Sequence, residues 1–309
     1  IRDRVPWGCA TQPGAMKAGG DKKTPLQSAE ENKAPEEVLS LLRAASAIDL
    51  DQPAGWEQLA ADLPHIAQGA RLLYYPGKQM GDDNAQSLCA SLAAHAPGLT
   101  ALDLSRNELT AVPPAVCDIA SLQTLDLGGN HIVDFPTEMR QLTSLKEIDL
   151  SRNRLKALPQ TFARLDNLRT LKLFDNRITE FALNWCKLGA LQRLDLSRND
   201  IKVLPDRVAE LTNLRELRLS ANRIGEIPLQ ITCLSKLRVF TRDKNGLEEL
   251  PRLFGRLHTL RRLELQENMC EALPARQDFA EHFHTLGLRV GAQTRTGTLS
   301  SSDQISAPL

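Results

Sequence analysis

The chain has 309 residues, and its 38 basic and 38 acidic side chains cancel to a formal net charge of zero. That balance leaves no global field to hold nucleic acid or an anionic membrane surface. No run approaches the roughly 18 apolar residues that a spanning helix needs, and Ile1 to Gly20 lacks the continuous apolar core of a cleavable secretory signal.

Residues 1–34 are rich in Gly, Pro, Ala, Lys and Thr without apolar periodicity, which predicts a disordered leader. Gly14 and Gly19 have the glycine spacing of a phosphate-binding loop. Gly20 and Asp21, however, stand where Lys and Ser or Thr are required, so no phosphate cradle is expected. Residues 35–69 predict two short helices. Val38, Leu41, Leu42 and Ala45 recur at i, i+3, i+4 and i+7 behind Glu36 and Glu37, and Trp56, Leu59, Ala60 and Leu63 share one side before Pro64. Their expected task is to cap the apolar edge of the repeats that follow.

From residue 70 the chain is built of repeats. The first is atypical: Leu73 and Tyr75 take strand positions and Lys78 and Met80 follow. A longer segment then places Ala85, Leu88, Cys89 and Leu92 on one buried helical face. Eight units of 23 residues come next. Their opening leucines are Leu99, Leu122, Leu145, Leu168, Leu191, Leu214, Leu237 and Leu260, and each carries an asparagine eight residues later, from Asn107 to Asn268. Leu191 to Pro205, L-Q-R-L-D-L-S-R-N-D-I-K-V-L-P, shows the unit in full.

This pattern resembles the leucine-rich repeat, L-x-x-L-x-L-x-x-N-x-L-x-x-L-P, in its 23-residue form found in intracellular Ras-suppressor or scaffold proteins and in bacterial effectors. The resemblance implies an α/β fold: a right-handed leucine-rich repeat solenoid, or horseshoe, with a parallel concave β-sheet and helical caps. The repeat domain is expected over residues 70–276. The asparagine is suited to bond the backbone where the chain leaves each strand. The residue three beyond each Pro, from Val116 through Trp185 to Phe254, is expected in the convex core.

Three departures stand out. Unit four has Phe181 and Ala182 in place of the consensus Leu-Pro, so its convex turn is expected to differ locally. Unit seven has Arg242 at a buried leucine position, which predicts a distorted strand or a bond to Glu264 or Glu248. Unit eight has Gln277 at a convex apolar position, where the array frays. Phe279, Phe283 and Leu286 then predict a capping helix over residues 277–290, with His282 and His284 as its solvated flank, and residues 291–309 read as a disordered tail.

The six cysteines are scattered, and Cys117 and Cys186, three units apart, would sit roughly 14 Å from one another, too far for a disulfide. With no Asn-x-Ser/Thr acceptor either, a reducing cytoplasmic interior is expected. No nucleophile with a base, no metal-spaced His/Cys cluster and no kinase signature occurs, so neither enzyme chemistry nor a cofactor is expected. The Asp103, Asp126 and Asp149 column reads as a solvated strand face. What the repeats offer is a surface: an acidic ladder early, arginines later, and Phe174 among them. The candidate partner-binding residues on the concave face are Arg169, Lys172, Phe174, Asp175, Arg193, Asp195, Arg198, Arg215 and Arg218.

The expected function is a non-enzymatic module, monomeric, that binds a partner protein and neither nucleic acid nor a membrane. The alternative is a bacterial type III-secreted effector acting on a host protein, its leader serving as the export signal. Effectors with similar repeats sometimes carry a ubiquitin-ligase domain after the array. Residues 275–309 are too few for one, so in that case this chain is expected to be the recognition portion.

Overall fold

The computed structural model describes residues 71–268, apart from residues 248, 249, 252, 266 and 267. The expected leader, the two helices over 35–69, Cys270, Gln277, the capping helix over 277–290 and the tail lie outside the described residues.

Each L-x-x-L-x-L segment forms a three-residue strand. The strands are β1 (Leu72–Tyr74), β2 (Ala101–Asp103), β3 (Thr124–Asp126), β4 (Glu147–Asp149), β5 (Thr170–Lys172), β6 (Arg193–Asp195), β7 (Glu216–Arg218), β8 (Val239–Thr241) and β9 (Arg262–Glu264). They make one parallel sheet in sequence order. Register advances by one unit per step: Leu102 lies opposite Leu125, Leu125 opposite Ile148, and Ile148 opposite Leu171. The strand-centre residue of each regular unit and the leucine two further on point inward, and in β3 through β5 both are fully buried. They join one continuous apolar cluster from Leu73 to Leu265. A run of parallel strands buried on one side follows from the repeat itself, since every unit must return over the core before the next strand begins.

The returns are short 3-10 turns at Pro114–Asp118, Thr137–Gln141, Gln160–Arg164, Leu183–Lys187, Asp206–Glu210, Leu229–Cys233 and Phe254–Arg256. Five of them follow a proline directly, whose ring pre-sets the extended entry. Ala182 adopts the same entry unaided, with φ −69° and ψ 128°, so the expected local difference in unit four does not occur. The substitution is absorbed because Phe181 is buried and packs edge-to-face on Trp185 at 5.2 Å. Val116, Met139, Phe162, Trp185, Val208, Ile231 and Phe254 all lie in the core, as expected.

The first repeat also follows its expected course. Helix α1 (Gly81–His95) buries Ala85, Leu88, Cys89 and Leu92. It docks on the next unit through polar contacts: the Asp82 carboxylate accepts the Thr110 amide at 2.8 Å and its hydroxyl, and Gln86 Oε1 accepts the Ala115 amide at 3.2 Å. Cys89, Cys117 and Cys186 are buried free thiols.

The asparagines form a ladder along the exit of the sheet. Asn176 Nδ2 donates to the Leu150 and Leu173 carbonyls, and Asn199 Nδ2 donates to Leu173 and Leu196, all within 2.9–3.1 Å. Each such carbonyl is therefore shared by two asparagines. On the other edge, Asn199 Oδ1 accepts the Ile178 amide at 2.9 Å and Asn222 Oδ1 accepts that of Ile201 at 3.0 Å. Backbone groups that would otherwise be buried without partners are satisfied unit by unit.

At Arg242, the distorted strand, one of the expected outcomes, does not occur. Strand β8 keeps regular register with β9, and the Arg242 amide bonds to the Glu264 carbonyl at 2.8 Å as the equivalent Leu219 amide bonds to Thr241. The side chain is fully buried, and its Nη2 donates to the carbonyl oxygen of Ile224. The Glu264 carboxylate is taken by Arg262 instead, and Glu248 lies outside the described residues. Backbone carbonyls at the strand exit give a cation a place that the leucine pattern does not advertise.

Candidate functional site

The outward face of the sheet carries the residues on either side of each central leucine. In the column that follows it, Tyr74, Asp103, Asp126, Asp149, Lys172, Asp195, Arg218, Thr241 and Glu264 stand on successive strands in register. Tyr74 is an aromatic on this face that sequence reasoning missed, although the assignment of Leu73 and Tyr75 to buried positions already placed it outward between them.

The aspartates of this column are more than a solvated face, which corrects the expectation. Each turns back on its own chain: Asp103, Asp126, Asp149 and Asp195 Oδ1 accept the amides of Ser105, Gly128, Ser151 and Ser197 at 2.8–3.0 Å. They are half-buried. Burial pushes the Asp126 carboxyl up to about 7, with the neighbouring Asp149 and Asp103 charges adding to the rise. Asp103 is raised as well, chiefly by burial.

This has a measurable consequence. An unfolded Asp126 titrates at the ordinary value of 3.8, so between roughly pH 4 and pH 7 the folded state holds more protons than the unfolded one. Stability contributed by this group is present at low pH and lost as pH rises through the folded value. Asp126→Asn keeps the oxygen that accepts Gly128 and removes the titration. We expect it to melt above the wild type at pH 8, with the gap narrowing through pH 5 and closing near pH 4. A gap of constant size across that range in thermal melts counts against the assignment.

Past each strand the backbone makes a left-handed turn. Arg106, Arg152, Asp175, Arg198, Ala221 and Lys244 have φ between 54° and 59°, and Gly129 takes the equivalent place at 71°. A non-glycine residue rarely adopts this conformation, and its recurrence shows that the ladder around it over-determines the turn. The side chains at this bend stand beside those of the preceding position. Phe174, half-buried, therefore lies between two cations: the Arg198 guanidinium carbon is 5.3 Å from its ring centroid and that of Arg152 is 5.9 Å. Arg152 was absent from the sequence-derived set, and only the bend brings it there.

Of the sequence-derived residues, Phe174 and Arg198 are brought into direct contact, with Asp175 exposed at the bend between them. Three others are engaged within the protein. Lys172 Nζ bridges Glu147 at 3.0 Å and Asp149 at 3.1 Å, Arg218 lies 3.2 Å from Glu216 and 3.9 Å from Asp195, and Asp195 holds the Ser197 amide. Ser197 itself is buried. Arg169, Arg193 and Arg215 are exposed and carry no ion pair among the described residues. Among the described residues there is also no acidic, cysteine and histidine cluster able to hold a metal, and no helix long and apolar enough to cross a membrane.

Residues 81–132, 120–178 and 170–224 each match the family model described as leucine rich repeat. The array is a leucine-rich repeat domain. No curated protein matches the chain. Among solved structures, a leucine-rich repeat protein of Leptospira interrogans is 36% identical at a TM-score of 0.58, over 60% of this chain and 47% of that one. The leucine-rich repeat ectodomain of the Arabidopsis thaliana membrane receptor kinase GASSHO1/SCHENGEN3, solved with Casparian strip integrity factor 2, is 27% identical at 0.58, over 66% and 26%. An internalin of Listeria monocytogenes shares the fold at 23% identity and 0.55, over 68% and 57%. The chain thus spans less than half the length of the first two. Leucine-rich repeat domains are general protein-interaction modules, and the fold is generally a non-enzymatic scaffold with its parallel sheet on the concave side.

Proposed function

We propose that this leucine-rich repeat domain is a non-enzymatic module that binds a partner protein across its concave sheet, centred on Phe174. The observation that carries this reading is the clamp itself. A half-buried aromatic ring is held between Arg152 and Arg198 on a face whose neighbouring positions are polar. Aromatic and arginine side chains dominate binding energy where they are pre-positioned, because little conformational entropy remains to be lost. Nine stacked strands span about 38 Å between the outermost two at ~4.8 Å spacing, room for a partner of ordinary interface size. A leucine-rich repeat ectodomain solved in complex with Casparian strip integrity factor 2 supports a binding role for the fold.

The test begins with co-purification on the intact chain and mass spectrometry to identify the partner. Phe174→Ala combined with Arg193→Glu is then expected to cut partner recovery by more than about tenfold, the effect of losing an interface hot spot. Both changes lie outside the core, so the variant should melt with the wild type. Unchanged recovery by a folded variant overturns the assignment of this face.

A further inference from the structure

We propose that the edge of the sheet over β6 to β9 receives an acidic segment of the partner protein, held by a column of unpaired arginines; the proposal rests on the concave-face reading above. The column occupies the position just before each strand. Arg215, Arg238 and Arg261 follow one another on consecutive units, and their backbones are locked together: the Arg238 amide bonds to the Arg215 carbonyl, and the Arg261 amide to the Arg238 carbonyl, each at 2.7 Å. The side chains therefore leave the backbone at strand spacing, about 4.8 Å apart. Arg169 stands in the same column two units earlier and Arg193 one position over. All five are exposed, and none forms an ion pair among the described residues.

Like charges on directly neighbouring strands repel, so such a column works against folding. Three cations within the strands escape it by pairing. Lys172 is matched by Glu147 and Asp149, Arg218 by Glu216, and Arg262 by Glu264. These three strand cations are thus neutralised, and those of the arginine column are not. Guanidinium groups in a row offer planar, two-pronged donors to carboxylates, and an anionic partner would remove the repulsion as it binds.

Charge on the remainder of the face selects the class of partner. Strands β2 to β4 present Asp103, Asp126 and Asp149. A polyanion that continues along the sheet, as a nucleic acid does, runs into these carboxylates. A short acidic protein segment confined to β6–β9 does not. Phe174 marks the boundary between the two halves just past β5, the middle strand of nine, where an apolar side chain of the same segment has a clamp to rest on.

The probe is a short fluorescein-labelled peptide of alternating Glu and Gly, titrated with the intact chain and followed by anisotropy at low and raised salt. A Lys-Gly peptide and a single-stranded oligouridine of matched charge serve as comparisons. Arg215→Glu, Arg238→Glu and Arg261→Glu together are expected to weaken Glu-Gly binding by about tenfold or more, since each exposed pair contributes a few-fold. The triple Arg140→Glu, Arg164→Glu, Arg256→Glu lies on the convex 3-10 turns and changes net charge equally. It is expected to change binding less than threefold. Arg→Gln at the three column positions gives a milder loss and guards against unfolding of the reversed variant. Equal loss from both triples overturns the proposal, as does failure of the Glu-Gly peptide to bind, or tighter binding of oligouridine. If partner recovery depends on Phe174 while the acidic peptide ignores the column, the concave-face reading stands and the acidic-segment assignment falls.

Discussion

Trp185→Ala is expected to destabilise the repeat array by about 4 kcal/mol, near the middle of the range for emptying a large aromatic site in a core. Trp185 is 1% exposed and stacks edge-to-face on Phe181, itself at the position of the consensus leucine. Unit four therefore packs two aromatic rings against one another in its convex turn, and it cannot collapse around a missing indole without moving the turns on both sides. Trp185→Phe should be far milder, within about 1.5 kcal/mol. The indole Nε1 has no hydrogen-bond partner among the described residues, so losing it removes a buried polar group along with some volume. Urea denaturation of both variants checks this. An alanine variant within about 1 kcal/mol of the wild type would show that the tier is less tightly packed than its burial implies.

The second large effect is expected at Asn199. Alanine there orphans the Ile178 amide and removes one of two donors from each of the Leu173 and Leu196 carbonyls. One fully unpaired buried amide and two weakened acceptors amount to about 3 kcal/mol. Asn199→Asp separates the donor role from the acceptor role. It keeps an oxygen for Ile178 but turns a carboxylate oxygen toward two carbonyls, so it should be at least as damaging as alanine at neutral pH. If aspartate is tolerated, the amide is not the donor that the ladder requires. Because each repeat touches only its neighbours, loss in the middle of the array weakens two interfaces at once.

Reading these residues from sequence worked where spacing alone carries the information. The period of 23 located β2 through β9, the asparagine ladder and the convex core. The helix of the first repeat followed from Ala85, Leu88, Cys89 and Leu92, because a helical face needs only local spacing. Reading failed where the outcome depends on what a neighbouring unit provides. Arg242 left open a distorted strand or a carboxylate partner, and the strand keeps its register while the carbonyl of Ile224 in the preceding unit accepts its Nη2. Ala182 looked like a different turn, yet the packing of Phe181 on Trp185 leaves the turn unchanged.

The surface divides in the same way. That Phe174 lies among charges is legible from its place in the repeat. That Arg152 and Arg198 close on its ring follows from the left-handed bend after each strand, which no residue type in that column signals: Arg, Gly, Asp, Ala and Lys all occupy it. Likewise, composition lists many cations on this face without saying which are spent. Lys172 is neutralised by Glu147 and Asp149 of the adjacent strand, and Arg218 by Glu216 on its own strand and Asp195 on the preceding one, while Arg215, Arg238 and Arg261 are not paired among the described residues.

The amino-acid sequence by itself thus determined the parallel sheet, its register and its core, because a strict period makes every unit bury the same positions against its neighbours. Tertiary structure alone decided which charges remain available to a partner, because an ion pair between strands depends on distances across the sheet, and residues 23 apart in the chain come together only when the solenoid is wound.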